Sequence, residues 1–122
     1  MEIAGIFADL LILVVIIYLY IRVNKVLSDY CYNKGMALYN LSRYDKALIC
    51  FNIATGFKPN NNADYWYNKG MALYNLSRYD EALKCFNKAI NLKPDDHKVR
   101  KALKKLKELN ASKASKASLG SL

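Results

Sequence analysis

The chain has 122 residues with a formal net charge of +9, and 53% of its residues are hydrophobic. It is too short for a doubly wound nucleotide-binding fold or a β/α barrel, so we expect one small domain with an appendage. The charge is unevenly distributed, because residues 97–122 carry eight basic residues against Glu108 alone. The basic character therefore belongs mainly to the C-terminal end.

Residues 3–21 form an apolar segment with a single charged residue, Asp9. As a helix, this segment would rise about 28 Å, which is close to the hydrocarbon thickness of a bilayer. Arg22 and Lys25 follow it, whereas the two acidic residues of this region, Glu2 and Asp9, lie before it and in its N-terminal part. We therefore predict a single-pass membrane anchor with its juxtamembrane segment over residues 1–27. By the positive-inside rule, the C-terminal domain would then be cytoplasmic.

Two other interpretations of this segment are a cleaved signal peptide and the core helix of an obligate complex. A signal peptide is expected to have a basic beginning and a small-x-small cleavage site, and neither pattern is present. Asp9 is unusual, because a carboxylate inside an apolar run is costly unless it is protonated, reaches the interface or meets a partner. Asp9 is therefore a candidate intramembrane contact with another transmembrane helix.

The middle of the chain is an internal repeat. The 14 residues from Tyr32 to Asp45 recur unchanged from Tyr67 to Asp80, and 22 of the 29 positions from 32 to 60 are identical after a shift of 35. Apolar residues recur within each unit at three- and four-residue spacing, which is typical of helices. The segment is therefore a tandem repeat of two helical units.

Each unit is predicted to contain two helices and a stop. Residues 41–43 break the apolar pattern of the first unit. Ser42 and Asp45 are suitable N-cap or first-turn residues for the second helix. The run of polar residues around Pro59 should end that helix, because proline cannot continue a helix and disfavours helical geometry in the residue before it.

These units resemble the tetratricopeptide repeat, whose pattern is W-x2-L-G-x2-Y, then A-x3-F, then P. The matching positions are Gly35, Ala37, Leu38, Tyr44, Ala47, Phe51, Ala54 and Pro59 in the first unit, and Trp66, Gly70, Leu73, Tyr79, Ala82, Phe86, Ala89 and Pro94 in the second. Cys31 stands where the second unit has its tryptophan, and the period is 35 where 34 is usual. The resemblance implies an all-α fold: a solenoid of two helix-turn-helix repeats over residues 28–96 (28–62 and 63–96), behind the N-terminal transmembrane helix.

The C-terminal part is predicted to close the solenoid. Residues 97–110 carry an apolar stripe at helical spacing, as expected of a capping helix, and the low-complexity residues 111–122 are expected to form a disordered tail. This basic surface is a solubilising cap, a contact for anionic lipid headgroups, or a contact for nucleic acid or an acidic protein. It lacks interleaved aromatic residues, which argues against nucleic acid. Its residues are Lys98, Arg100, Lys101, Lys104, Lys105 and Lys107.

No catalytic constellation is recognisable in the sequence. The single histidine is His97, the three cysteines are widely spaced without a C-x-x-C pair, and no glycine-rich phosphate loop is present. We therefore expect no enzymatic activity, no metal and no cofactor, and we expect reduced thiols.

Protein binding is the function that the resemblance implies. In the family, the first helices of the repeats line a concave groove that takes peptide segments. A carboxylate clamp is not expected here, because Tyr32 stands at a clamp lysine position and Met36 at a clamp asparagine position. Carried over by position, the groove residues are Asp29, Tyr32, Met36, Tyr39 and Asn40 in the first unit, and Asp64, Tyr67, Met71, Tyr74 and Asn75 in the second.

The sequence thus predicts a membrane-anchored scaffold or adaptor that binds other proteins at the cytoplasmic face. The main alternative is a structural subunit of a membrane complex or a homo-oligomer, held by the apolar N-terminal helix. A weaker alternative is a lipid or nucleic-acid tether through the basic C-terminus. Two repeats make a short array, so the anchor helix, the capping helix or self-association should supply further burial.

Overall fold

The computed structural model describes residues 2–57 and 62–120, which form five helices and, within those ranges, no strand. The helices are α1 (Glu2–Asn40), α2 (Tyr44–Gly56), α3 (Ala63–Asn75), α4 (Tyr79–Leu92) and α5 (His97–Gly120). The all-α class and the two helix-turn-helix units predicted from the sequence are confirmed.

Helix α1 joins the apolar segment to the first repeat without a break. Every residue from Glu2 to Val23 is exposed, so no other described part of the chain covers the apolar segment. Its length and composition suit a membrane span, although a signal sequence or a soluble core helix meets the same criteria. Further along α1, Ser28 and Gly35 become buried. The hydroxyl of Ser28 donates a hydrogen bond of 2.7 Å to the carbonyl oxygen of Ala54 in α2.

In each repeat, two antiparallel helices meet where a glycine faces a phenylalanine. Gly35 in α1 faces Phe51 in α2, and Gly70 in α3 faces Phe86 in α4. A Cβ atom on either glycine would lie 2.6 Å from a ring carbon of its phenylalanine. Because both rings are fully buried, the missing side chain is what allows the two helices to approach so closely.

One apolar core runs through both repeats and under α5. Val99 and Leu106 of α5 are fully buried in it, so α5 closes the open end of the second repeat. The other core residues are Ala47, Leu48, Phe51, Ala72, Leu73, Ala82, Cys85, Phe86 and Ala89.

The turn inside each repeat contains a serine with a left-handed backbone, since φ is 59° at Ser42 and 61° at Ser77. The Arg43 N–H donates to the Leu38 carbonyl oxygen at 2.9 Å, which is the long bond of a Schellman motif. Ser42 therefore belongs to the turn that terminates α1, which differs from the expectation that it caps α2 or lies in its first turn. This geometry is favoured because it satisfies carbonyl groups that the end of α1 leaves unpaired. Asp45 lies in the first turn of α2, as predicted.

The sequence predicts that a proline ends the second helix of each repeat. The run around Pro59 lies outside the described residues. Helix α4 ends at Leu92, two residues before Pro94, as the helix-breaking property of proline predicts. Asp96 then starts α5, because its Oδ1 atom accepts a hydrogen bond of 3.0 Å from the Lys98 N–H.

Helix α5 is longer than the sequence pattern predicts. It continues through residues 111–120, where a disordered tail is expected from the low complexity. Alanine and lysine, which recur in that stretch, are strong helix formers. A helix already nucleated by residues 97–110 also extends without a second nucleation cost.

Candidate protein-binding groove

The two repeats are joined by side-chain hydrogen bonds from α3 to α1. Asn68 Nδ2 donates to the phenol oxygen of Tyr32 at 2.7 Å, and Asn75 Nδ2 donates to that of Tyr39 at 3.0 Å. The partners in both bonds are 36 positions apart. This constant separation places α1 and α3 parallel and in register.

Tyr32 is packed inside the interface between the repeats. Its ring stacks on that of Tyr65 with the centroids 4.0 Å apart, and it also contacts the ring of Phe51 at 5.9 Å. Burial raises the pKa of the Tyr32 phenol. The Tyr65 hydroxyl donates to the Asp29 carboxylate, and burial together with this bond raises the pKa of Tyr65 well above its ordinary value. Tyr32 therefore serves the packing of one repeat on the next.

The predicted groove residues consequently separate into two groups. In the first unit, Tyr32 and Tyr39 face α3, and Asn40 is exposed at the end of α1. Met36 is partly buried against the core, and Asn75 of the second unit is engaged with Tyr39. The structure thus does not bring all the predicted residues to one open surface.

The second group lines a pocket between α3 and α5. Tyr67 and Tyr74 are the repeat equivalents of Tyr32 and Tyr39, but α5 takes the place that a third repeat would occupy. The pocket has a volume of about 310 Å³. Its lining consists of Tyr67, Met71, Tyr74, Phe86, Lys98, Lys101, Ala102 and Lys105.

Positive charge is concentrated on the α5 wall of this pocket. Lys98 Nζ lies 3.7 Å from the Asp64 carboxylate and 5.3 Å from the ring centroid of Tyr67. Lys101 and Lys105 form no salt bridge with any described residue. The structure therefore joins predicted groove residues and predicted basic residues, which the sequence pattern presents as separate surfaces.

The direction of α5 follows from its contacts with the second repeat. Its first turn lies beside the start of α3, where Lys98 meets Asp64, and Lys113 Nζ lies 5.8 Å from the ring of Tyr79 near the far end of α3. Helix α5 therefore runs parallel to α3 and α1, and its C-terminal half leads away from the apolar segment of α1. Of the six basic residues predicted to form one surface, Arg100, Lys104 and Lys107 lie outside the pocket lining and are exposed.

Sequence reasoning missed the polar interface residues Tyr65 and Asn68. A comparison of equivalent positions shows what distinguishes the two units: Tyr30 is 63% exposed, whereas its equivalent Tyr65 is 7% exposed. Ala37 is likewise more exposed than Ala72, which is buried. The difference arises because the first repeat covers this face of the second repeat, whereas no repeat covers the same face of the first. The order of the two units in the sequence was sufficient to predict it.

The three cysteines lie outside the pocket lining and are free thiols. Cys31 is half-buried, and Cys50 and Cys85 are buried. Burial raises the pKa of the Cys85 thiol, which keeps it protonated and weakly nucleophilic. We therefore assign the two buried thiols, Cys50 and Cys85, to packing.

Residues 28–61 and residues 63–96 each match a family model of the tetratricopeptide repeat. The two matches together cover more than half of the chain, which therefore belongs to the tetratricopeptide repeat family.

Several solved structures are similar to this chain. A mutant of MamA is 27% identical over 69% of this chain and 61% of that chain, with a TM-score of 0.64. This chain thus spans about three fifths of the MamA chain. The first TPR domain of human RPAP3 is 17% identical, with coverage of 73% and 96% and a TM-score of 0.49. The first TPR of Spaghetti (RPAP3) bound to HSP90 peptide SRMEEVD is 16% identical, with coverage of 71% and 95% and a TM-score of 0.47. Among curated protein sequences, none matches this chain.

Proposed function

We propose that this chain is a membrane-anchored scaffold or adaptor that binds another protein at the cytoplasmic face of the membrane. The continuity of α1 carries the proposal: its apolar segment is exposed along its whole length and passes directly into the first repeat. Such a surface requires an apolar environment, and a lipid bilayer supplies one of matching thickness. Tetratricopeptide repeats are interaction modules, so a protein is the expected partner.

The charges beside the apolar segment support a cytoplasmic location for the repeats. Glu2 precedes the segment and Asp9 lies in its N-terminal part, whereas Arg22 and Lys25 follow it. Arg22 also lies 5.9 Å from the ring centroid of Tyr18, an arrangement suited to the membrane interface. Protease treatment of sealed, right-side-out vesicles tests this orientation, which predicts that the repeats are protected until detergent is added. Cleavage of the repeats without detergent would reverse the assignment.

Anchoring is tested by extraction of membranes from cells that express the full chain. Alkaline carbonate should leave the protein in the membrane pellet, and detergent should release it. The matched control is Leu13→Arg with Ile16→Arg, because an arginine near the bilayer centre costs about 3 kcal/mol. This variant should appear in the soluble or aggregated fraction. Release of the native chain by carbonate alone would exclude an anchor.

The open groove between α3 and α5 is the proposed binding surface. A photo-crosslinking residue at Met71, inside the pocket, should capture a partner protein in intact cells. The same residue at Asn87, which is exposed on α4 and outside the pocket lining, is the control. Equal capture at both positions would indicate contact without a specific groove.

A second function, as a structural subunit of a membrane complex or homo-oligomer, is favoured by Asp9. Its side chain is exposed among apolar residues and makes no salt bridge with any described residue. A second helix in the membrane would lower the cost of such a carboxylate. The test is the native mass of the detergent-solubilised complex. Asp9→Leu should dissociate the complex and Asp9→Asn should preserve it, whereas an unchanged mass in both variants would exclude an assembly held by Asp9.

A further inference from the structure

We infer that the groove between α3 and α5 selects an extended peptide segment in which one apolar residue is flanked on both sides by acidic residues. This inference rests on the proposed function, because it names the chemistry of the partner that the groove takes. Three features of the pocket lead to it: a rigid apolar floor, a lysine wall, and the spacing of two lysines along α5.

The floor is apolar and held in place by ring contacts. The ring of Tyr67 lies 5.8 Å from that of the buried Phe86, and the ring of Tyr74 lies 5.4 Å from that of Tyr79. Met71 lies between the two tyrosines on α3 and lines the same pocket. A volume of about 310 Å³ is at the lower end of the range for ligand pockets, so it suits one large apolar side chain.

The opposite wall is basic, and Lys98 is its only lysine that forms a salt bridge with a described residue. The pocket lining contains three lysines and no acidic residue. Lys98 is already paired with Asp64, at 3.7 Å, which leaves Lys101 and Lys105 as the available charges. In the first unit, the corresponding face of α1 meets neutral Tyr65 and Asn68 of α3, so this basic wall belongs to the end of the array.

The spacing of the two lysines determines the pattern of the ligand. Lys101 and Lys105 are four residues apart on α5, one turn along the same face, so they are separated by about 6 Å along the helix axis. In an extended peptide, side chains two residues apart point to the same side at a separation of about 6.6 Å. Two acidic residues of the peptide that are two positions apart therefore face Lys101 and Lys105. The residue between them points the other way, toward Tyr67, Met71 and Phe86.

The experiment uses the full chain in nonionic detergent micelles and a fluorescein-labelled peptide with blocked ends. The peptide is centred on glutamate–leucine–glutamate between glycine and serine residues. Fluorescence anisotropy should show saturable binding that weakens with added salt. A peptide of the same composition in which the leucine lies outside the two glutamates should bind about tenfold more weakly. Equal affinity for the two peptides would overturn the alternating pattern.

Charge reversal supplies the decisive comparison. Lys101→Glu with Lys105→Glu should weaken binding of the acidic peptide by about tenfold or more, and should create binding of a lysine–leucine–lysine peptide. The matched control is Lys104→Glu with Lys107→Glu, which changes the net charge equally on exposed positions outside the pocket. Equal losses in both variants would mean that the peptide responds only to overall charge, and would overturn the inference.

Competition by nucleic acid and capture through Met71 complete the test. A single-stranded oligonucleotide that displaces the peptide from the native chain, but has no affinity for the Lys101→Glu and Lys105→Glu variant, would overturn the inference in favour of nucleic acid. Capture of a protein through Met71 together with no binding of the acidic peptide would overturn it while leaving the proposed function intact. Failure of both measurements would contradict the proposed function as well.

Discussion

Asn68 donates a hydrogen bond of 2.7 Å to the phenol oxygen of Tyr32, and this bond ties α3 to α1. The repeat equivalent of Tyr32 is Tyr67, which lines the pocket under α5, and the lining of that pocket contains no asparagine. Two residues that begin the same 14-residue sequence therefore have different structural roles. The difference arises from what each meets about 36 positions further along the chain.

The two tyrosines should consequently respond differently to truncation. Tyr32→Ala removes the stacking on Tyr65 and leaves Asn68 without its acceptor, so we expect the free energy of unfolding to fall by about 2–3 kcal/mol. Tyr67→Ala removes part of the apolar floor of the pocket and should cost about 1 kcal/mol or less while weakening partner binding. Urea denaturation of the full chain in detergent, monitored by circular dichroism, measures the loss of unfolding free energy in each variant. Equal losses of unfolding free energy would contradict the assignment of Tyr32 to packing between the repeats and of Tyr67 to the pocket.

The left-handed serines predict a stabilising substitution. A residue with a Cβ atom pays about 1–2 kcal/mol for this conformation, whereas glycine adopts it freely but loses more entropy on folding. Ser42→Gly and Ser77→Gly should therefore each raise the free energy of unfolding by about 0.5–1 kcal/mol. Ser112→Gly, within α5, is the control and should lower helix content. A loss of stability at Ser42 or Ser77 would show that the serine side chain is required in the turn.

Because of the tyrosines at the repeat interface, we expect the free energy of unfolding to fall at alkaline pH. The folded state raises the pKa of the Tyr65 and Tyr32 phenols, so it retains protons that the unfolded chain releases above about pH 10. The stabilisation of the folded state by these protonated phenols is fully present below about pH 10. It is lost as the pH rises, at up to about 1.4 kcal/mol per pH unit for each phenol. Denaturant titrations at increasing pH measure this slope, which Tyr65→Phe should reduce. An unchanged slope in that variant would exclude Tyr65 as a cause.

The repeat architecture was predictable from the sequence because the two units are nearly identical and their apolar residues recur at helical spacing. The division of the groove was not predictable from local pattern, since Tyr32 and Tyr67 occur in the same 14-residue sequence. The same limit applies to Ser42, which is chemically suited to start α2 but belongs to the turn that terminates α1. In both cases the outcome depends on neighbours that a local pattern does not contain.

The charge of the C-terminal part illustrates a related limit. The sequence identifies Lys98, Lys101 and Lys105 as part of one basic surface, together with three other residues. The apolar stripe of α5 indicates that this helix packs on the second repeat, but only the packing of Val99 and Leu106 into the core shows which of the basic residues then lie beside α3. This packing places these three lysines at the pocket, and the remaining basic residues outside it.

The outer face of α2 gives a last prediction. Ile49 and Ile53 are 61% and 46% exposed, whereas the equivalent residues of α4 are Lys84 and Lys88. Because the same fold already carries lysine at those positions, Ile49→Lys with Ile53→Lys should leave the free energy of unfolding unchanged within about 0.5 kcal/mol. The variant should also scatter less light as detergent is diluted, since less apolar surface is exposed.

The matched control for this prediction is the reverse change at one of the equivalent positions of α4. Lys88 Nζ lies 4.3 Å from the ring centroid of Trp66, so Lys88→Ile removes a cation–π contact and should cost about 0.5–1 kcal/mol. It should also increase aggregation. If Ile49→Lys with Ile53→Lys instead dissociates a complex purified from membranes, the isoleucines are covered in that complex. The outer face of α2 would then be an assembly surface, which excludes the expectation that this face lies free in solvent.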